Sequence, residues 1–461
     1  MSGDKRTWRR VPPAPDVMAH MYADYLRIRG KKKLSFKKYL KQIGFTDPTA
    51  GLKRGDSGTR SSPVAGIELV AVPSRKVTGT VRLIVLLVDF SDNKATRPLH
   101  EYEDMLFSQK TFLTGSLRDF YAEASRGNVD VTGSVHGWFR MPKTYAYYVN
   151  NSSGTGPYPK NAQKLAEDAI KAALAKKVPF PPDLDKFGDG AITGLFVVHA
   201  GQGAEVMSTK ALQNKAIWSH KADMEKPVKV SGTLFATNYL TVPEDCHMGV
   251  CAHELGHLAF QWDDFYDPNY DEDGSYWDGS GVWDLMAGGS WNNGGLTPAH
   301  PAGLHKSQHG WVDVQQVSAT TMGVMLPAYS KQAGKVVRIK ASKFSATQCL
   351  ILENRHRKGF DRMLPGEGLL VWRVDTKMEE VNPDQAAMML IEADGRHNLE
   401  TASDQDQGDA GDPFPGSKKV HELLDTGNIS TSFPGVKSGI ALKNITMDPQ
   451  SGSVKLDIVF S

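Results

Sequence analysis

The chain has 461 residues, 40% of them hydrophobic, with aromatic and charged fractions of 9% and 23%. That is enough apolar material for one large folded domain or two to three smaller ones, and no stretch approaches the roughly 18–20 unbroken apolar residues a membrane span needs. The net charge of +2 hides an asymmetry: residues 1–60 carry +10 and the remainder −8, so a basic arm is attached to an acidic body.

Met1 to Arg10 is basic, but Val11-Pro12-Pro13-Ala14-Pro15 follows where a secretory signal needs an apolar core, so the start does not read as such a signal. Asp16 to Gly30 predicts a helix, capped by Asp16, with Met18, Met21, Tyr22, Tyr25 and Ile28 at helical spacing and Gly30 as the stop. Leu34 to Ile43 predicts a second. Gly51 to Ser62 is polar and Gly/Ser-rich, the composition of an exposed linker. From about Val70 the texture changes. Val81 to Phe90 and Gly194 to Ala200 predict buried strands, Gly115 to Ala124 and Pro159 to Lys176 predict helices, and Val250 to Trp262 predicts a further helix. After Trp311 strands are expected at Lys335 to Ala341, Cys349 to Asn354, Gly368 to Asp375, Met388 to Ala393, Gly439 to Ile445 and Ser453 to Phe460. The expected organisation is an N-terminal arm over 1–62, a domain of mixed helices and strands over 63–312, and a β-rich subdomain over 313–461.

The helix at Val250 to Trp262 carries His253-Glu254-Leu255-Gly256-His257. Positions i and i+4 of a helix lie one above the other, so His253 and His257 can bind one metal ion. Glu254, beside the first ligand, can reach a water on that ion, and as general base take the proton whose pKa zinc has lowered. The spacing suits peptide hydrolysis. The bland alternative is a helix with two surface histidines, but Val250, Cys251, Ala252, Leu255 and Leu258 supply an apolar back face. Gly256 costs about 1 kcal/mol relative to Ala, tolerable if something must approach closely there. A zinc site needs a third protein ligand and an open position. In metzincin proteases the pattern is H-E-x-x-H-x-x-G-x-x-H/D. Here Phe260 stands at the glycine position, and strict spacing makes Asp263 the ligand. His300, His305 and His309 are weaker candidates.

Asp264-Phe265-Tyr266-Asp267, then Trp283-Asp284-Leu285-Met286-Ala287-Gly288-Gly289-Ser290-Trp291, follow the motif. On these residues the chain resembles the immune-inhibitor-A-type secreted metallopeptidases of bacteria. Thr114 to Ser125, Gly194 to Glu205, Asn238 to Glu244 and Gly408 to Gly416 also look like segments of that family, and the resemblance covers roughly residues 10–460. It implies an α+β fold: a metzincin-like zinc protease domain with a mixed sheet and an HExxH helix, followed by the β-rich subdomain. It implies a zinc endopeptidase acting on protein or peptide substrates, made as a zymogen and secreted. Aligned on the Phe-Tyr-Asp segment, it makes Asp264 the third ligand, with Asp263 as the alternative, and Met286 the hydrophobic support beneath the metal. With no signal at the start of this sequence, cytoplasmic location or non-classical export stays open.

Residues 261–304 hold eight acids and no Lys or Arg: Asp263, Asp264, Asp267, Asp271, Glu272, Asp273, Asp278 and Asp284. They read as a solvated loop, as a calcium site using Asp271 and Asp273, or as an acidic rim on which the basic arm docks. Asp183 to Gly190 resembles a calcium loop in relatives, but Lys186 and Phe187 intrude. Asp409 and Asp412 are expected to form turns, with calcium binding as the lesser alternative. Phe260, Trp262 and Trp291 are candidates for the cleft wall or for the core. Cys246, Cys251 and Cys349 are expected as buried unpaired thiols. Lys31-Lys32-Lys33 has too little aromatic interleaving for nucleic acid. The rival function is a non-catalytic binding or cargo protein that kept the fold, and Phe260 is the local feature in its favour.

Overall fold

A computed structural model of the chain describes residues 76–266, 278–377, 386–400 and 407–461, together with 9–12, 14, 23, 25–27 and 39. Of the two helices expected in the arm, Ala23, Tyr25–Arg27 and Tyr39 are helical and the rest lie outside the described residues. So does the expected linker at Gly51 to Ser62. The rings of Tyr25 and Tyr39 sit 5.9 Å apart, buried in the main core.

The first sheet is assembled from β1 (Arg9–Arg10), β2 (Gly79–Asp89), β3 (Val129–Arg140), β4 (Leu195–His199), β5 (His220–Ser231) and β6 (Leu234–Pro243), in the order β1-β5-β6-β4-β2-β3. The pairs β2/β3, β2/β4 and β4/β6 are parallel, whereas β5 runs antiparallel to β6 and β1 antiparallel to β5. Both faces are covered, which is why β2 reads as an almost unbroken apolar run. Val81, Leu83, Val85 and Leu87 enter one core, and Ile84, Leu86 and Val88 the other. Three helices cover the first face: α1 (Leu99–Phe107), α2 (Leu117–Ala124) and, after the sheet, the motif helix. Helix α3 (Ala162–Ala175) covers the second with Leu165, Ala166, Ala169 and Ile170.

Local chemistry trims the expected ends. Ser116 and Asp119 form a reciprocal capping box, so α2 starts at Leu117. The Asn161 side chain accepts from the Lys164 N–H at 3.1 Å, so α3 starts at Ala162, inside the expected span.

The motif helix α4 is Met248–Phe260, followed by α5 (Gly303–Gln308). The remaining strands are β7 (Asp313–Val317), β8 (Thr321–Leu326), β9 (Lys335–Ile339), β10 (Gln348–Arg355), β11 (Gly368–Asp375), β12 (Met388–Leu390), β13 (Ile440–Met447) and β14 (Val454–Phe460). They form two sheets, β12-β11-β10-β9-β7 and β13-β14-β8. The six strands expected after Trp311 are all present, and β7 and β8 are additional. The five-stranded sheet is also buried on both faces. Ile351, Leu370, Trp372 and Val374 share the core of α4, while Leu350, Leu352, Leu369 and Val371 face the last sheet. The β-rich part therefore backs the motif helix through one continuous core. At that junction Arg355, fully buried, donates to Asp361 and to the carbonyl of Trp283, tying the second sheet to the loop under the site. Among the described residues no helix is long and apolar enough to cross a membrane.

Candidate metal centre and cleft

Every residue of α4 is buried. The helix stops because Gln261 adopts a left-handed conformation, with φ of 57°, and the Trp262 N–H returns to the Gly256 carbonyl at 3.2 Å. This turn comes one residue later than the glycine of H-E-x-x-H-x-x-G. Phe260 keeps its helical place because its ring stacks on Tyr121 at 4.7 Å and on Trp262 at 5.1 Å. With the turn displaced by one, the carboxylate three residues beyond it is that of Asp264.

The structure brings His253, His257 and Asp264 together; Asp263 is buried but is not part of this group. The two Nε2 atoms are 3.1 Å apart, and Asp264 Oδ1 lies 3.2 Å from that of His253 and 3.0 Å from that of His257. Tetrahedral zinc with bonds of ~2.0–2.1 Å would space its ligand atoms by about 3.3 Å. His253 Nδ1 faces the Leu285 carbonyl at 2.9 Å, and His257 Nδ1 faces the Trp262 carbonyl at 2.7 Å. Those carbonyls take the Nδ1 protons and leave both Nε2 lone pairs pointing to a common place. Two imidazoles and one carboxylate are a donor set that suits zinc. Burial alone would raise the Asp264 carboxyl, but His257 and His253 beside it hold it well below the usual carboxylate range. Burial, then the nearby Asp264 and Glu205, push Glu254 well above its ordinary value; the Val11 backbone N–H opposes them.

Met286 lies against the opposite side of the motif. A Cβ added at Gly256 would be 2.7 Å from Met286 Sδ and 3.0 Å from Trp262 Cε3, so this helix requires glycine there. The turn carrying Met286 hangs on Asp284, which accepts from the Ala302 N–H at 2.9 Å and Ser280 Oγ at 3.1 Å and lies 3.4 Å from His305 Nδ1. By helix propensity alone Gly256→Ala would stabilise the fold by about 1 kcal/mol. Overpacking against Met286 reverses the sign, and we expect a loss of about 1–3 kcal/mol in urea unfolding. A more stable variant would show that the contact yields.

The other candidates go elsewhere. His300 pairs with Glu123 at 3.1 Å, His305 with Asp284, and His309 Nε2 faces the Phe260 carbonyl at 3.0 Å. Phe260 and Trp262 are core behind the site, whereas Trp291 borders the cleft. The expected acidic rim is corrected in part. Asp263, Asp264, Asp278 and Asp284 are all buried and face inward; Asp267 and Asp271 to Asp273, including the calcium candidates Asp271 and Asp273, lie outside the described residues. In the Asp183 to Gly190 loop, Asp185 accepts the N–H groups of Phe187, Gly188, Asp189 and Gly190, which makes it a turn held by one carboxylate. Cys246, Cys251 and Cys349 are free and buried, with Cys246 and Cys251 Sγ atoms 3.7 Å apart.

Asp412 also forms a turn, accepting from Asp409 N–H at 2.9 Å and from Trp283 Nε1 at 2.8 Å. It lies close to Glu392 and Asp394. Burial pushes Asp412 up to about 8 and Glu392 up to about 7. Unfolded carboxyls titrate near 4, so stability is lost as pH rises from there toward the folded values. Asp412→Asn keeps an acceptor for Trp283 and removes the buried charge. Urea melts are expected to show it about 1–3 kcal/mol more stable at pH 8 and unchanged at pH 4. A loss at pH 8 would point instead to a bound cation.

The cleft also holds part of the arm. Arg9 pairs with Lys221 and Arg10 with His220, extending the sheet at the free edge of β5. Trp218 Nε1 donates to the Val11 carbonyl and Trp291 Nε1 to the Pro12 carbonyl, each at 2.9 Å, and the Ala14 N–H donates to the Glu205 carbonyl at 3.1 Å. The described contacts are thus largely main-chain, where the sequence suggested charge. Glu205 and Trp218 were not singled out in the sequence. Glu205 is buried, accepts from the Ser219 N–H at 3.1 Å, and burial pushes its carboxyl up to about 7.

The family model described as immune inhibitor A peptidase M6, catalytic domain, matches residues 74–318. The chain is 31% identical over 268 residues to the pre-pro-metalloprotease PrtV of Vibrio cholerae, covering 48% of this chain and 28% of that protein. It is 31% identical over 265 residues to immune inhibitor A of Bacillus thuringiensis, covering 47% of this chain and 38% of that protein. The matches thus span well under half the length of either relative, and the residues matched by the family model include His253, His257 and Asp264. This chain belongs to the immune inhibitor A peptidase family.

Proposed function

We propose that the chain is a zinc-dependent endopeptidase, kept latent by its own N-terminal arm. The observation that carries the reading is the convergence of His253 Nε2, His257 Nε2 and Asp264 Oδ1 beside Glu254, at the end of a cleft with a sheet edge along it. His253, His257 and Asp264 would hold the ion. When bound, zinc would supply Lewis acidity toward a substrate carbonyl and make a water ionise near neutral pH. Glu254 takes that water's proton and returns it to the leaving nitrogen. The edge of β5 pairs with the main chain of an extended protein substrate, Met286 supports the histidines from below, and the family resemblance supports action outside the cell. Latency is supported by the arm's Arg9–Arg10 strand holding the β5 edge and by the Val11 and Pro12 carbonyls accepting from the Trp218 and Trp291 indoles. The feature that favoured a non-catalytic relative, Phe260 in place of glycine, is accounted for by its stacking and by the turn at Gln261.

The test is metal content paired with casein cleavage, on the intact chain and on a chain cut once at a thrombin site inserted within Gly51 to Ser62. We expect about one zinc per chain, and chelator-sensitive cleavage that rises at least about tenfold on cutting. No zinc and no cleavage from either folded form would return the binding-protein reading.

A further inference from the structure

Resting on the zinc reading, we infer that Arg355 and Asp361 are positioning residues for the metal ligand His253. Acting through the backbone of two other segments, they fix the carbonyl that aims the His253 ring.

The ring is set by the bond between its Nδ1 and the Leu285 carbonyl, at 2.9 Å. That carbonyl belongs to a loop, and a loop places a ligand only as well as its own supports allow. The supports reach into the β-rich part. The Leu285 N–H donates to the His300 carbonyl at 3.3 Å, and the His300 N–H donates to Asp361 Oδ1 at 2.9 Å. Arg355, at the end of β10, ties these together. Its Nε and Nη2 donate to the two oxygens of Asp361 at 2.8 and 2.5 Å. Its Nη1 donates to the Trp283 carbonyl at 2.6 Å, and Nη2 also lies 3.4 Å from the His300 carbonyl. One guanidinium thus holds both chain segments that meet at Leu285.

Arg355 is fully buried and Asp361 nearly so. A buried ion pair is a poor device for stability, because the cost of desolvating two charges offsets their attraction. What this pair supplies is geometry. The planar fork holds the carboxylate with two donors and keeps a third in a fixed direction for Trp283. An ammonium on a flexible stem cannot do both. Without the clamp the Leu285 carbonyl loses its fixed place, the His253 ring loses its aim, and zinc affinity falls.

The experiment measures zinc affinity of the full chain by competition with a chromogenic chelator, with the fold checked by near-ultraviolet circular dichroism. Arg355→Lys is expected to weaken zinc binding about 10–100-fold, the usual effect of losing a partner behind a ligand. It should also change the visible absorption of the cobalt(II)-loaded chain, which reports ligand geometry. Leu352→Ala is the control for structure alone. Leu352 is buried on the opposite face of β10, so its loss should lower stability and leave zinc affinity within about twofold of the parent. If Arg355→Lys does not fold, Arg355→Met combined with Asp361→Asn takes its place. That pair of changes removes both charges together, which buried ion pairs tolerate, and keeps an acceptor for the His300 N–H; the same weakening is expected. Unchanged zinc affinity in the folded variant, or an equal loss in Leu352→Ala, overturns the inference and leaves the zinc reading intact. A parent chain that binds no zinc overturns both.

Discussion

Replacing Glu254 with Gln is expected to lower kcat by about 10²–10⁴-fold while zinc content stays near one per chain. The substitution is nearly isosteric, so the packing of α4 around a residue with no exposed surface is kept. What it removes is the group proposed to accept a proton from water and hand it to the leaving nitrogen. Glutamine also lacks the charge that burial, Asp264 and Glu205 disfavour at this position. The variant should therefore be no less stable than the parent, which separates lost chemistry from lost fold. Turnover within a fewfold of the parent would remove Glu254 from the mechanism.

Asp264→Asn is expected to lose zinc, and Asp263→Asn to keep it. Asp264 Oδ1 sits within 3.2 Å of both histidine nitrogens, and asparagine would set a weaker, neutral donor there. Even partners one bond removed from a metal typically cost 10–100-fold in affinity when lost, so loss of the ligand itself should exceed that. Zinc per chain after dialysis against a weak chelator measures it. The opposite outcome, with Asp263→Asn losing the metal, would mean that the segment after Gln261 rearranges when zinc binds.

The difference between those two aspartates shows where local reading ran out. The strict family spacing points to Asp263, and the Phe-Tyr-Asp segment points to Asp264. The geometry favours Asp264, because Phe260 is held in the helix by Tyr121 and Trp262 and the left-handed turn passes to Gln261. Tyr121 is far away in sequence, so no window around the motif contains that reason. The edge strand β5 was equally hard to read. His220–Ser231 is charged and contains Pro227, which suits an edge with a register shift between Asp223 and Val228 but breaks the apolar alternation by which strands are recognised. The seat of Val11 and Pro12 depended on that unrecognised edge, and on two tryptophans from distant segments.

By itself the sequence determined the features that short-range geometry dictates. His253 and His257 share a helix face because four residues make about one turn. Apolar runs such as Val81 to Phe90 and Gly194 to Ala200 become strands buried on both faces because nearly every side chain along them is apolar enough for a core. Tertiary structure decided the rest: which carboxylate closes the group, why Gly256 admits no side chain beside Met286, and which part of the arm enters the cleft. Those outcomes rest on contacts between residues far apart in the chain, whose partners packing alone selects.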